Sequence, residues 1–172
     1  MNSLKKLIEQ TNIYFSTLFG IGYIPFMPGT FGTLATAILW FLIPDYIFYN
    51  STEKTIYIFE YAIMSGIVAV LFFLGVYLTG QAEKQLGKDN GKIIFDELVG
   101  YLVAVLFLPK TLMICIYAFV LFRVFDIGKP YPISKSQNLK GGWGVMIDDA
   151  IAGLFANALM QILILIYPNF FK

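Results

Sequence analysis

Apolar residues run in long blocks along this chain, separated by short polar connectors. Residues 55–80 carry one charge, Glu60, and exceed the roughly 20 residues a helix needs to cross a hydrocarbon core. Residues 150–167 carry none and predict a second span. A third block, residues 31–43, continues through Pro44 and Asp45 into residues 46–49, which suits a span with a kinked or frayed outer end. The block at residues 98–122 has Pro109 and Lys110 at its centre. As one helix it would bury a lysine and lose a backbone hydrogen bond at mid-membrane. Read as a hairpin turning at Pro109 and Lys110, its arms are residues 91–108 and 111–127, each about 25 Å long at about 1.5 Å per residue. The pattern therefore predicts an all-α, polytopic membrane helical bundle of about five spans. Ahead of it, Leu4, Leu7, Ile8, Tyr14, Phe15 and Leu18 recur near helical spacing. They predict either a short amphipathic helix over residues 1–19, lying on the membrane face, or a frayed terminus. The bundle occupies residues 20–167, and with no internal repeat the chain reads as a single membrane-embedded domain, residues 1–172. Lys5 and Lys6 are followed by Gln10, Thr11 and Asn12 with no small-residue cleavage site, so the start does not read as a signal peptide.

Composition supports lipid as the solvent: 58% of the 172 residues are hydrophobic, 13% are charged and mean hydropathy is +0.73, against about 25% charged in ordinary globular chains. A net charge of +1 with a single arginine, Arg123, leaves no basic face for nucleic acid. The chain has no histidine, which excludes phosphohistidine chemistry, histidine acid–base pairs and His-ligated zinc. Cys115 is the sole cysteine; it lies in an apolar stretch without the arginine loop of a phosphate-cleaving thiolate, and reads as packing.

Charge placement favours the hairpin. With a cytoplasmic N-terminus, the inner side holds Lys5, Lys6, Lys84, Lys88, Lys92, Arg123, Lys129, Lys135 and Lys140, and the outer side Lys54, Lys110 and Lys172. That bias is what the positive-inside rule expects. The same topology brings Asp96, Glu97, Asp126, Asp148 and Asp149 to one membrane boundary. A lone acid there is ordinarily a solvated helix end, but five at one depth point to a metal or proton site. Arg123, Asp126 and Lys129 follow at intervals of three along one helix face; Arg123 reads equally as an interfacial anchor or as an anion grip. Two glycine-bearing loops, Pro28-Gly29-Thr30-Phe31-Gly32-Thr33 and Gly141-Gly142-Trp143-Gly144, precede predicted spans on that side, where free helix N–H groups favour phosphate.

Four blocks carry a family likeness: Pro28-Gly29-Thr30-Phe31-Gly32, Phe95-Asp96-Glu97-Leu98-Val99-Gly100, the run from Arg123 to Pro132, and the run from Gly141 to Gly153. In this order and spacing, without departure inside the blocks, they resemble the phosphatidylglycerophosphatase A family. The resemblance implies a magnesium-dependent (Mg2+) phosphatase of the bacterial inner membrane, multi-pass, with its site on the cytoplasmic side. It implies an anionic phospholipid substrate among membrane lipids, phosphatidylglycerophosphate, dephosphorylated to phosphatidylglycerol. The residues agree in chemistry: without histidine or a reactive thiol, a metal-activated water is the economical nucleophile, with a covalent aspartyl-phosphate as the alternative. The expected metal ligands, direct or through water, are Asp96, Asp126, Asp148 and Asp149. Glu97 is a ligand or the base that orients water, and Glu97, Asp126 and Asp149 are the catalytic candidates. Thr30, Arg123 and Lys129 are the expected phosphate contacts; Lys140 is as well explained as a surface charge facing anionic lipid. A small cation or proton transporter is the rival class, but it predicts acids at the midplane on broken helices. A phosphatidyl-group transferase would need a spaced Asp-Gly…Ala-Arg…Gly…Asp…Asp pattern, which the chain lacks. One further expectation comes from an internal likeness. Asp96 and Asp149 are each followed four residues later by glycine, Gly100 and Gly153, so two helices crossing at those glycines bring the two aspartates together.

Overall fold

The computed structural model describes residues 2–44, 54–88, 90–137 and 139–171, with the side chains of Asn2 and of residues 54–60 excepted. The expected outer end over residues 46–49, the connector at residues 45–53 and Lys172 lie outside the described residues, as do the side chains of Lys54 and Glu60. The described chain is all-helical, with no strand among its described residues. The order is α1 (Asn2–Ser16), a 3-10 turn (Ile21–Tyr23), α2 (Pro28–Leu42), α3 (Lys54–Leu86), α4 (Phe95–Val105), α5 (Leu112–Gly128), α6 (Ile133–Ser136) and α7 (Gly142–Ile166).

Among the described residues, two segments are long and apolar enough to cross a membrane, Tyr61–Leu86 and Gly142–Ile166. At 15, 11 and 17 residues, α2, α4 and α5 fall below full spanning length. The expected hairpin is present as a break between α4 and α5 that contains Pro109 and Lys110, but its first arm is shorter than residues 91–108. The Asn90 carboxamide accepts from the Lys92 N–H at 3.1 Å and donates to the Leu86 carbonyl at 2.7 Å. That turn chemistry competes with helix and holds residues 90–93 outside it. At the other end Leu106 is extended and Phe107 has φ of 64°, ahead of the restriction Pro109 places on Leu108. At 11 residues, α4 is about 16 Å long. The last helix differs in the opposite sense: it begins at Gly142, eight residues before the predicted start, so Asp148 and Asp149 lie inside it rather than ahead of it.

The two glycines expected at a crossing do meet. A Cβ at Gly153 would overlap the Gly100 carbonyl oxygen, and one at Gly100 would fall 2.9 Å from the Asp149 carbonyl oxygen. Small residues are what permit such close approach of apolar helices. Tyr101, Phe122, Ala118, Ala152, Ala156 and Met160 close the core among α4, α5 and α7. A second cluster, with Leu18, Val68, Ile94, Val99 and Met146, joins α3 and the end of α1 to α4 and α7. Cys115 is buried, as expected. Asn157 of α7 completes the joint: its Nδ2 donates to the carbonyls of Ala104 at 3.0 Å and Leu106 at 2.7 Å, satisfying the open end of α4. Many large apolar side chains lie on the outer surface. Leu42 is 68% exposed, Val70 67% and Leu165 82%, which only an apolar surrounding makes inexpensive. The N-terminal segment is helical, with Leu4, Leu7, Ile8, Tyr14 and Phe15 exposed along it.

Candidate active site

Three helices deliver charge to one end of the bundle, and a fourth adds an uncharged first turn. The first turn of α4 supplies Asp96 and Glu97, where the helix N-terminus favours negative charge. The end of α5 supplies Arg123 and Asp126, with Lys129 as its C-cap at φ 40°. Asp148 and Asp149 come from the second turn of α7, and α2 contributes its first turn. Asp126, Asp148 and Asp149 are all buried. Together these groups line a cleft of about 120 Å3 that includes Asp96, Glu97, Asp126, Lys129, Asp148 and Asp149.

The acids divide into two sets. One ligand oxygen from each of Asp96, Glu97 and Asp149 lies within 4.8 Å of the other two. Asp126 and Asp148 instead hold the cations: Arg123 Nη1 is 2.6 Å from Asp126 Oδ2, and Lys129 Nζ is 2.6 Å from Asp148 Oδ2. Longer contacts knit the sets together, 3.8 Å from Arg123 to Glu97 and 3.9 Å from Lys129 to Asp126. Burial opposes the charge on Lys129, but the hydrogen bond and charge of Asp148, then the charges of Asp126 and Asp149, outweigh it and raise the ammonium's pKa. A raised lysine pKa keeps the cation protonated, and its ion pair intact, until pH climbs above the ordinary lysine value.

Several polar atoms here are buried without a hydrogen-bond partner: Asp96 Oδ1, Glu97 Oε2, Asp149 Oδ2, Thr30 Oγ1 and Arg123 Nε. Buried polar groups are ordinarily satisfied. Three neighbouring carboxylates, each with an orphaned oxygen, suit a hard divalent cation, while the orphaned guanidinium nitrogen and hydroxyl suit an oxyanion. Five carboxylates against Arg123 and Lys129 leave an excess of negative charge that a cation would offset.

Every expected site residue reaches this end of the bundle except Lys140, which is exposed. Two residues were not singled out from sequence. Thr33 accepts a 3.5 Å hydrogen bond from Arg123 Nη1 and donates to the Gly29 carbonyl at 2.9 Å, which steadies the guanidinium from α2. Gly29 is a close-approach position: a Cβ there would overlap Glu97 Oε1 and crowd Arg123 Nη1. Gly29 and Thr33 lie four apart in the block that opens α2, and that spacing on a helix was the available signal. Gly29 and Gly32 lie inside α2, and Gly142 and Gly144 inside α7, while Gly141 stays ahead of α7 as its N-cap at φ 59°.

The family model of Phosphatidylglycerophosphatase A matches residues 14–164. A protein of Bacteroides thetaiotaomicron named as a putative phosphatidylinositol-3-phosphatase is 34% identical over 157 residues, 87% of this chain and 91% of its own length. Phosphatidylglycerophosphatase A of Escherichia coli is 35% identical over 83% of this chain and 77% of its own. The Haemophilus influenzae protein of the same name is 35% identical over 90% of each. No solved structure gives a significant match. The match takes in α2, α4, α5 and the site-bearing part of α7, so the helices that gather the buried carboxylates are the ones the likeness covers, and the chain belongs to the phosphatidylglycerophosphatase A family.

Proposed function

We propose that this protein is a Mg2+-dependent lipid phosphatase of the bacterial inner membrane. It hydrolyses the terminal phosphomonoester of phosphatidylglycerophosphate to phosphatidylglycerol and inorganic phosphate. The observation that carries the reading is the convergence of Asp96, Glu97 and Asp149, each with a buried unpartnered oxygen, beside Arg123 and Lys129. A divalent cation held by those three carboxylates would supply the positive charge that acidifies water and neutralises a phosphoryl group. The chain's own groups do the rest. Arg123, steadied by Asp126 and Thr33, offers its unpartnered Nε to a phosphoryl oxygen; the Thr30 hydroxyl donates to another from the first turn of α2. Lys129 brings a second cation on the Asp148 side. Glu97 lies at the junction of the two sets, in place to accept a proton from the attacking water, and Asp126 and Asp148 fix the cations in the cleft.

We read the five apolar helices α2, α3, α4, α5 and α7 as membrane-embedded in a multi-pass arrangement, α4 and α5 forming the hairpin, with the site at the cytoplasmic boundary. The charge asymmetry and the apolar outer surface support this arrangement. Family membership and the placement of the acids near helix ends leave the transporter reading without support. The Bacteroides relative's name raises phosphatidylinositol 3-phosphate as a second substrate of the same phosphomonoester chemistry. The deciding experiment is phosphate release by the purified protein in detergent from phosphatidylglycerophosphate, phosphatidate and phosphatidylinositol 3-phosphate, in millimolar Mg2+ and in excess chelator. Fastest release from phosphatidylglycerophosphate, abolished by chelator, is expected. Equal rates with and without metal would refute the metal mechanism, and faster release from another lipid would reassign the substrate.

A further inference from the structure

Between α2 and α5 runs an apolar groove of about 210 Å3 that shares no lining residue with the carboxylate cleft. The two helices reach the site from opposite chain directions: α2 brings its first turn and α5 its last, joined there by the hydrogen bond from Arg123 to Thr33. From that joint the groove follows both helices away from the site. On α2, Thr30, Leu34, Ala37 and Phe41 follow at intervals of four, three and four, and so share one face. On α5, Arg123, Phe119, Ile116 and Leu112 repeat those intervals in the reverse direction. Thr30 and Arg123 head the two rows, each with a buried polar atom that lacks a partner, Oγ1 and Nε. The other members of both rows line the groove. Its small members, Ala37 and Cys115, are buried and form a floor, while Leu34, Phe41, Ile116 and Leu112 stand exposed along its rims.

We propose that this groove holds one acyl chain of the lipid whose phosphate occupies the site, with Ala37 and Ile116 setting its width. The inference rests on the lipid phosphatase reading above and adds which face of the protein the substrate's chain lies against. The order of contacts suits a lipid. Unpartnered donors stand at the head, and apolar side chains follow from about 6 Å to about 16 Å farther along the helix axis, which leaves the first turn for the headgroup that links phosphate to chain. A chain that leaves bulk lipid for the groove gains no hydrophobic free energy, because both surroundings are apolar. The groove therefore contributes position: a chain lodged in it holds the headgroup at one depth beside Arg123 and the carboxylates.

The test is photolabelling of the full chain, reconstituted in a phosphatidylcholine bilayer with millimolar Mg2+. The probe is a non-hydrolysable phosphonate analogue of phosphatidylglycerophosphate with a diazirine midway along one acyl chain, and the control is phosphatidylglycerol bearing the same chain. Peptide mapping is expected to place the phosphonate's label on α2 and α5 at the groove, about 10-fold above the control's, because charge-assisted hydrogen bonds at the head tether only the first lipid. Ile116→Trp and Ala37→Leu fill the groove. Each is expected to remove most of that label and to raise the KM for a dioleoyl substrate more than for its dihexanoyl form. Should a variant fail to fold, the contrast between the two lipids on the wild type decides alone. Equal labelling by both lipids, or none at the groove, overturns the proposal. So does label confined to the apolar recess at Leu74 and Leu98, a groove covered by a second copy in a dimer, or label that survives both substitutions in folded protein. Phosphate release from phosphatidylglycerophosphate on the same preparation separates the two claims. Groove labelling without release sinks the phosphatase reading and leaves the groove, and release without groove labelling does the reverse.

Discussion

Asp126 and Asp149 look alike in the sequence, yet their surroundings assign them different work. Asp149 has an unpartnered oxygen and lies with Asp96 and Glu97, whereas Asp126 is committed to Arg123 at 2.6 Å. Asp96→Asn and Asp149→Asn are therefore expected to lower phosphate release by about 100-fold or more and to raise the Mg2+ concentration for half-maximal rate, with the protein still folded by its thermal transition. Arg123→Lys is expected to cost about 10-fold or more, because an ammonium cannot reproduce the guanidinium's spread of donors to Asp126, Thr33 and phosphate; a wild-type rate would remove Arg123 from the phosphate site. Lys129→Met tests the other pair. It strands Asp148, which is 4% exposed, at a cost of about 3–5 kcal/mol for a broken buried pair, seen as a lower midpoint of thermal unfolding. Adding Asp148→Asn should recover much of that stability without recovering activity. No recovery in the double variant would mean that Lys129 stabilises by packing alone.

The joint between α4 and α7 does for the site what no single side chain does. Gly100 and Gly153 let the two backbones touch, and Asn157 ties the end of α4 to α7 one turn beyond Gly153. Asp96 and Asp149 stand one turn on the opposite side of the same contact, so the spacing of the helices sets the spacing of the ligand oxygens. Gly100→Leu or Gly153→Leu should wedge the helices apart and raise the Mg2+ requirement more than the KM for lipid. A stable variant with unchanged metal dependence would separate the crossing from the metal site. The shortness of α4 fits the same joint: its 11 residues put the charged first turn, the Gly100 contact and the carbonyls held by Asn157 within three turns of one another.

Across the molecule, charge and apolar surface are what the proposed orientation rests on. Lys129 lines the cleft and Lys88 a pocket that Asp148 also borders, while Lys110 lies at the turn between α4 and α5, where its ammonium bonds to the Ile43 carbonyl and faces the Trp40 ring at 5.9 Å. In a Cys115→Ser background, cysteines at Lys84 and Lys135 are expected to react with an impermeant thiol reagent only from the cytoplasmic side, and one at Lys110 only from outside. Labelling of 84 and 135 from opposite faces would dismantle both the topology and the argument that the acids share one boundary.

The linear pattern was enough to settle the helical class, because long runs of apolar residues with few charges admit no other way to satisfy backbone hydrogen bonds in lipid. It also marked the residues that the structure gathers at one end of the bundle, since acids and a lone arginine are costly in so apolar a chain. Helix limits were less legible: the Asn90 turn shortened α4 and the glycines at 142 and 144 were absorbed into α7, because packing against α3 and the α6 connector overrides local propensity there. The division of the acids was not in the sequence at all. Which carboxylates keep a free oxygen and which bind Arg123 or Lys129 depends on how α2, α4, α5 and α7 are rotated and spaced. Those rotations follow from contacts between residues far apart in the chain, such as Gly29 against Glu97 and Gly153 against Gly100.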